Sequence, residues 1–371
     1  MKISIDVIIP SFRAEEKYLI PILSLSRPEN AEVKFYIIID NPAIHLSASI
    51  QSMADNENIF IIINEKNIGA AETRNKGIAA GDGDWILFLD DDVVVKNDLL
   101  LVYANAVGQY PNEIGFIGLI NFPAAATSFT KAVKASGSMD IFGIASRKKS
   151  FAWAATANFF IKRIAIGNIK FSPAYPKSGG GEDVDFFLKV RKKNHHQNFK
   201  TLPQAAVEHP WWKNEEADFT RPFRYGTGNS NLGKMNPEYT YYDFLNTPET
   251  LFISLVLTIF FLFFEVTWLM PTIIFLCGVV IIEILASSIQ TVKRTHKVNL
   301  KVMIYLMALR FMHESGVLFG KLSKFELWRI GERFHDDGTI NRISFYRSNT
   351  YKTVKWILYP VLVFFILHKY F

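Results

Sequence analysis

The run Trp85-Ile86-Leu87-Phe88-Leu89-Asp90-Asp91-Asp92-Val93-Val94-Val95 ends a hydrophobic strand in three consecutive carboxylates. Such a cluster repels itself unless a cation lies among its oxygens, and a divalent ion shared with phosphate oxygens resolves the repulsion. In an extended chain side chains alternate, so Asp90 and Asp92 share one side. A plainer expectation is that Asp92 to Asn97 cap the helix that follows. A second acidic pair, Glu182-Asp183, follows Gly179-Gly180-Gly181 and opens a helix. Glycines let backbone approach a ligand, and a carboxylate fixed at a helix start can accept a proton from an attacking hydroxyl. The same two residues also suit a helix dipole. A third signal, Glu208-His209-Pro210, offers a neutral imidazole as a further metal ligand.

These residues need elements to carry them. Ile3–Ile9, Val33–Ile39, Ile59–Ile63 and Trp85–Leu89 are dense in Ile, Val and Phe, the pattern of parallel strands buried on both faces. Between them Tyr18–Leu25, His45–Met53 and Gly69–Ala80 have the length of crossover helices. This order predicts a doubly wound α/β layer with ligands beyond the carboxyl ends of the strands. The polar residues there are Ser11, Asp40, Asn64 to Asn67 and Asp90 to Asp92. The first strand runs into Pro-Ser-Phe-Arg with no glycine-rich turn, and there is no Gly/Lys phosphate loop, which argues against a dinucleotide fold or a P-loop NTPase. Further on, Phe151–Ile161 and Ala205–Glu208 read as strands and Asp183–Lys193 as a helix. Pro210 to Pro248, poor in aliphatic residues, reads as loop and short helices.

The 371 residues carry a net charge of +6 and a single cysteine, Cys277, so no internal disulfide holds the fold. Residues 1–245 contain 27 basic and 27 acidic residues, and the whole excess lies in residues 246–371, with 14 and 8. That region is also the most apolar. Leu251–Met270 and Pro271–Ile289 are each long enough to span a bilayer and carry one glutamate apiece, Glu265 and Glu283. Two buried core helices would have the same composition. Lys293, Arg294, Lys297 and Lys301 follow, which places that end on the cytoplasmic side. Val302–Leu322 carries Arg310, His313 and Glu314 and reads as an interfacial helix. Trp356–Leu367 is a shorter apolar tail. The expected organisation is residues 1–245 as the catalytic domain and 246–371 as transmembrane and interfacial helices. The opening MKISIDVIIP is too short in apolar residues for a signal peptide. The catalytic part is therefore expected on the cytoplasmic face of the inner membrane. A balanced first half offers no footprint for nucleic acid.

Taken together, IDVIIPSF, IIIDN and NEKNIGAAETRNKGIAAGDGDWILFLDDD resemble the N-terminal half of family 2 glycosyltransferases. ANFFIKR, the turn at Gly167, GGGEDVDFFLKVRKKN and VEHP are similar to its acceptor-side half in the same order. FRYGTG resembles a segment of membrane-associated members that build bacterial surface polysaccharides. The resemblance covers residues 3 to 233. It implies a GT-A fold, a Rossmann-like mixed α/β sheet flanked by helices, with membrane-associated helices at the C-terminal end. It implies that Pro10, Ser11, Asp40, Asn67, Gly69 and Arg74 line the nucleotide pocket, with Asp91 and Glu182 beside the nucleotide-sugar. Asp90, Asp92 and His209 are implied to hold Mg²⁺ or Mn²⁺ on the diphosphate. Asp183 is the implied general base, and Arg224 and Tyr225, with Arg221, are implied to close over the diphosphate. The implied partners are a nucleotide-diphosphate sugar as donor, a lipid-linked or glycan acceptor, and membrane lipid, with no nucleic acid.

Two departures stand out. Members often carry Asn-Glu shortly after the first-strand proline, where this chain has Arg13-Ala14 with Glu15 next, so the base contacts and donor are left open. The tail lacks the Gln-x-x-Arg-Trp motif of processive synthases, which favours single transfers. A polyprenyl-phosphate sugar synthase, a nucleotidyltransferase and a non-catalytic membrane-anchored sugar-nucleotide-binding protein remain alternative readings of the same residues.

Overall fold

The computed structural model describes residues 3–340 and 349–370, which divide into two compact units. The first comprises residues 3–124, 139–214 and 336–338, and the second the other described residues. In chain order the first unit contains β1 (Ile3–Ser11), α1 (Glu16–Leu23), β2 (Ala31–Ile39), α2 (Ala48–Met53), β3 (Ile59–Ile63), α3 (Ala70–Ala80), β4 (Trp85–Leu89), β5 (Val94–Val95), α4 (Leu99–Gln109) and β6 (Gly115–Asn121). After α5 (Ser128–Ser136), which belongs to the second unit, come β7 (Ser150–Phe151), β8 (Asn158–Lys162), α6 (Arg163–Ile166), α7 (Glu182–Lys193) and β9 (Phe199–Glu208).

The strands form one mixed sheet in the order β3-β2-β1-β4-β8-β6-β9-β5, with β7 paired to β9. β1 to β4 run parallel, as their unbroken apolar runs predict, and β8 is antiparallel to both β4 and β6. Alternation splits each strand between two cores. Val7, Ile9, Leu87, Leu89 and Phe160 face one, and Ile8, Ile86, Phe88, Phe159 and Ile161 the other. Nearly all are fully buried, and each such side chain contributes about 1.5–3 kcal/mol relative to exposure. At the far end of the sheet from the strand termini, buried Asp6 accepts from Gly83 N at 2.8 Å and pairs with Arg163, whose Nε and Nη1 also donate to Gly83 O and Ile78 O, each at 2.7 Å.

One irregularity decides where β9 ends. The β6–β9 register runs Gly118 to Leu202, then jumps to Leu119 with Ala206, so Pro203, Gln204 and Ala205 are extra on β9. Buried Asn158 takes up the carbonyls this leaves, donating to Ala205 O at 2.8 Å and Leu119 O at 3.2 Å, and Tyr103 Oη donates to Asn158 Oδ1 at 2.7 Å. A Cβ at Gly118 would lie 2.2 Å from the Asn158 amide, so only glycine fits there. Beyond the bulge, His209 N donates to Asn121 O at 2.8 Å.

The second unit adds to α5 the helices α8 (Thr220–Met235), α9 (Thr247–Phe264), α10 (Leu269–Thr295), α11 (Leu300–Leu322) and α12 (Thr350–Tyr370), with a small antiparallel pair of β10 (Thr240–Tyr242) and β11 (Glu332–Phe334). Four helical segments, Thr247–Phe264, Val266–Thr295, Leu300–Leu322 and Thr350–Tyr370, are long and apolar enough to cross a membrane. Phe263, Phe264 and Phe364 point outward. Ionic contacts tie the helices together inside. Glu249 meets Lys321 at 3.4 Å and Arg333 at 2.6 Å, and Glu283 meets Lys355 at 3.1 Å and Tyr351 Oη at 2.6 Å.

Three expectations need correction. Pro210 to Pro248 holds a 16-residue helix, α8. It meets α11 through backbone: a Cβ at Gly226 would be 1.9 Å from His313 O, and one at Gly316 would be 2.0 Å from Phe223 O. Glycine contacts leave no aliphatic stripe to read. Phe151–Ile161 is interrupted, with strand only at β7 and β8. Nor do Asp92 to Asn97 cap a helix. α4 starts at Leu99 with no side-chain cap from Asp98, and Asn97 Oδ1 instead accepts from Ser26 N at 2.9 Å.

Candidate active site

Because β1, β2 and β4 are parallel, Ser11, Asp40 and Asp90 leave the same edge of the sheet. Asp40 is buried and fastens the next loop: Oδ1 accepts from Asn64 Nδ2 at 2.9 Å and Ile68 N at 2.8 Å, and Oδ2 from Gly69 N at 2.8 Å. A carboxylate offers about four acceptor positions, so one is left for a ligand N–H. Gly69 (φ 88°) opens α3 against Lys177, whose backbone oxygen accepts from Ala70 N at 2.8 Å. Asn67 lies exposed in this loop and Pro10 is half-buried beside Ser11.

The three aspartates separate by side. Asp91 turns to Ser11, whose Oγ donates to Asp91 Oδ2 at 2.6 Å. Asp90, Asp92 and His209 each place one ligand atom within 4.8 Å of the others. His209 Nε2 is 3.2 Å from Asp92 Oδ1, and Nδ1 is 2.6 Å from Pro210 O. A carbonyl only accepts, so Nδ1 carries hydrogen, and in the neutral ring Nε2 presents its lone pair to the aspartates. Phe122 stacks on the imidazole at 5.2 Å and holds its plane. Two carboxylate oxygens and an imidazole nitrogen converging this closely fit a divalent cation.

Arg74 links this trio to the glycine run. Its buried guanidinium reaches Asp90 Oδ1 through Nη2 and Glu182 Oε1 through Nη1, both at 3.3 Å, while Nε has no partner among the described residues. Gly179, Gly180 and Gly181 have φ of 87°, 140° and 102°, a conformation closed to ordinary L-residues. Their turn is closed by Gly180 N donating to Glu182 Oε2 at 2.6 Å, which leaves Glu182 committed to Arg74 and its own loop. Asp183, the next residue, accepts from the adjacent Val184 N at 3.2 Å, and among the described residues no side chain donates to it. Burial first, and then the Glu182 charge, push its carboxyl up to about 7, against a smaller opposing pull from Arg74. A carboxylate of that basicity, free of side-chain partners, suits proton transfer near neutrality.

Arg224 and Tyr225 lie on α8 in the second unit, with the Arg224 guanidinium 5.5 Å from the Tyr225 ring centre, and Arg221 Nη1 donates to Tyr225 Oη at 3.3 Å.

Comparison with known proteins decides the family. The profile of "Glycosyl transferase family group 2" matches residues 85–312, more than half of the chain, and that of "Glycosyl transferase family 2" matches residues 6–163. The chain is a family 2 glycosyltransferase. An uncharacterized glycosyltransferase of Haemophilus influenzae is 36% identical over 115 residues, 30% of this chain and 37% of that protein. An uncharacterized protein of the same organism is 28% identical over 121 residues, 32% of this chain and 64% of that protein. The glycosyltransferase therefore spans less than two thirds of either curated relative. Among solved structures, the mannosyltransferase PcManGT from Pyrobaculum calidifontis, in complex with GDP-Man and Mn2+, superposes with a TM-score of 0.53 at 12% identity, over 87% of this chain and 88% of that one. That likeness establishes the GT-A fold.

Sequence reasoning passed over two parts of this glycosyltransferase's site. Arg13 stood only as a departure from the family pattern, yet its Nη2 is 2.7 Å from Asp92 Oδ2. The aromatic shelf of Phe122, Trp211 and Trp212 beside His209 was also missed, although Trp-Trp directly after His-Pro was visible.

Proposed function

We propose that this glycosyltransferase moves a sugar, with inversion and with a divalent metal, from a nucleotide-diphosphate sugar to a hydroxyl of a lipid-linked acceptor at the cytoplasmic face of a membrane, in surface glycan synthesis. The observation that carries the reading is the bridge of Arg74 between Asp90 and Glu182. It ties the cation-holding trio to the helix start that bears Asp183.

Asp90, Asp92 and His209 are the residues that would hold the cation, Mn²⁺ or Mg²⁺, whose positive charge offsets that of the leaving diphosphate. The Mn²⁺ of PcManGT, a protein of the same fold, is in keeping with this choice. Asp40, with one acceptor position left, takes an N–H of the base, and Ser11, Asn67 and Gly69 border that pocket. The acceptor oxygen attacks the anomeric carbon opposite the diphosphate, the bond from that carbon to the phosphate oxygen breaks, and the hydroxyl proton passes to Asp183. Attack from the face opposite the leaving group inverts the centre. Arg74 and Gly180 N hold Glu182 in its own loop, which leaves Asp183 to take the proton.

For the second unit we read α9 and α10 as spans, α11, with Arg310, His313 and Glu314, as lying along the interface, and α12 as a further apolar anchor. Residues 1–245 then act as the catalytic domain. Anchoring raises the effective concentration of the enzyme at a lipid-borne acceptor.

The test is turnover of the full chain in nanodiscs with Mn²⁺ and a panel of nucleotide-sugars, with polyprenyl-linked and water-soluble acceptors. Release of nucleoside diphosphate with transfer to the lipid-linked acceptor supports the reading. Release of pyrophosphate, or equal rates on the soluble acceptor, counts against it. Asp92→Ala must abolish turnover while the fold persists.

A further inference from the structure

We propose that Arg13 is a built-in counter-cation of the acidic trio, which makes metal binding and diphosphate binding depend on one another. The proposal rests on the metal site described above and adds a residue and a binding order to it.

The loop after β1 delivers this side chain deliberately. Ser11 Oγ accepts from Ala14 N at 3.0 Å while donating to Asp91, a tight turn that Ala14 closes with φ 47°. The turn brings the Arg13 guanidinium over the aspartates, with Nη2 at 2.7 Å from Asp92 Oδ2 and 3.9 Å from Asp91 Oδ1. Nε is 3.6 Å from Glu15 Oε1 on the other side. Asp92 is thus divided: Oδ2 belongs to Arg13 and Oδ1 faces His209.

The two arginines of the site differ in kind. Arg74 is buried and engaged by Asp90 and Glu182, whereas the Arg13 side chain is 53% exposed and keeps donors facing solvent. A cation taken by Asp92 Oδ1 meets a positive charge already fixed on the same carboxylate, so Arg13 opposes the metal when it arrives alone. A diphosphate reverses the sign of that interaction. Its oxygens supply negative charge between the two cations and accept from the free guanidinium donors, a geometry that favours arginine. Metal and diphosphate then bind cooperatively, and the coupling is the same whichever arrives first.

The experiment measures Mn²⁺ binding to the full chain in nanodiscs, reading free Mn²⁺ by its electron spin resonance signal, with and without inorganic pyrophosphate and corrected for Mn²⁺–pyrophosphate in solution. In the unmodified protein, pyrophosphate tightens Mn²⁺ about tenfold or more. Arg13→Gln is expected to bind Mn²⁺ alone about fivefold or more tighter and to lose most of the pyrophosphate enhancement. Arg13→Lys keeps the charge and is expected to stay close to the unmodified protein. Unchanged or weaker Mn²⁺ binding in Arg13→Gln, full enhancement in that variant, or Arg13→Lys behaving like Arg13→Gln would each overturn the proposal. Asp92→Asn separates this from the site itself: if it binds Mn²⁺ as well as the unmodified chain, the metal trio is wrong. If it loses Mn²⁺ while Arg13→Gln is unaltered, only the role of Arg13 falls.

Discussion

Asp183→Asn removes the proposed base while keeping its shape, and its effect is expected on two independent axes. The folded carboxyl sits near 7 instead of 3.8, because burial and the Glu182 charge disfavour its ionised form. The acid limb of kcat/KM should therefore fall below about pH 7, where the base becomes protonated, and the variant should lose 10²–10⁴-fold in kcat at every pH. Stability moves the other way. Below pH 3.8 the group is protonated in both folded and unfolded chains and costs nothing. As pH rises toward 7 the unfolded chain ionises freely while the folded chain resists, so native stability drains away over that window. The gap from 3.8 to about 7 corresponds to an upper bound on the order of 4 kcal/mol, and the share expected after solvent screening and relaxation is roughly 1–3 kcal/mol. Asn carries no such cost. Thermal unfolding in nanodiscs from pH 4 to 8 should show the variant gaining on the parent as pH rises, with a plateau above 7. A variant that keeps a tenth of parental kcat refutes the base assignment. One with no stability gain at pH 8 refutes the account of the carboxyl's environment.

Further outcomes follow from the geometry. Gly181→Ala forces an L-residue into φ 102° at the start of α7 and should cost about 1–2 kcal/mol in denaturant unfolding, with a fall in kcat as Asp183 shifts. His209→Ala should weaken Mn²⁺ binding about tenfold or more by calorimetry while leaving far-ultraviolet dichroism unchanged. Asp6→Ala takes from Arg163 its carboxylate but leaves it Gly83 O and Ile78 O, and should destabilise the protein by about 1–3 kcal/mol with Mn²⁺ binding by the folded fraction unchanged. Gly316→Ala, whose Cβ would meet Phe223 O at 2.0 Å, should cost about 1–3 kcal/mol in detergent-solubilised protein by pushing α8 and α11 apart.

What the amino-acid string revealed depended on how each element earns its burial. β1, β2 and β4 are buried over most of their length, so Ile, Val and Phe dominate them and the strands can be read directly, and the part-buried edge strand β3 carries the same residues. Asp90 and Asp92 fall together because extended chain alternates, a local rule. α8 escaped because its partner is met through Gly226 and Gly316 rather than through aliphatic side chains. His209 reaches Asp92 only because β9 gains three residues between Leu202 and Ala206, a register jump stabilised by Asn158 and Tyr103 from elsewhere in the fold. No neighbouring residue signals the jump, so Glu208-His209-Pro210 offers an imidazole without showing that it meets Asp92. Arg13 was hidden for the same kind of reason, since its meaning lies in a contact 79 positions away.

The placement of α5 governs how this protein can be taken apart. Residues 125–138 interrupt the first unit in sequence yet pack in the second, where Phe129 meets Tyr305 at 5.5 Å and Glu215 accepts from the backbone of Ala126 and Thr127, each at 3.0 Å. A gene fragment stopped at residue 245 would still encode α5 and α8 but not Tyr305 or the rest of α11, and would leave both helices without the partner they pack on. Reducing the protein to its first unit means removing 125–138 and the segment from residue 215 onward, α8 included, rather than shortening the tail alone.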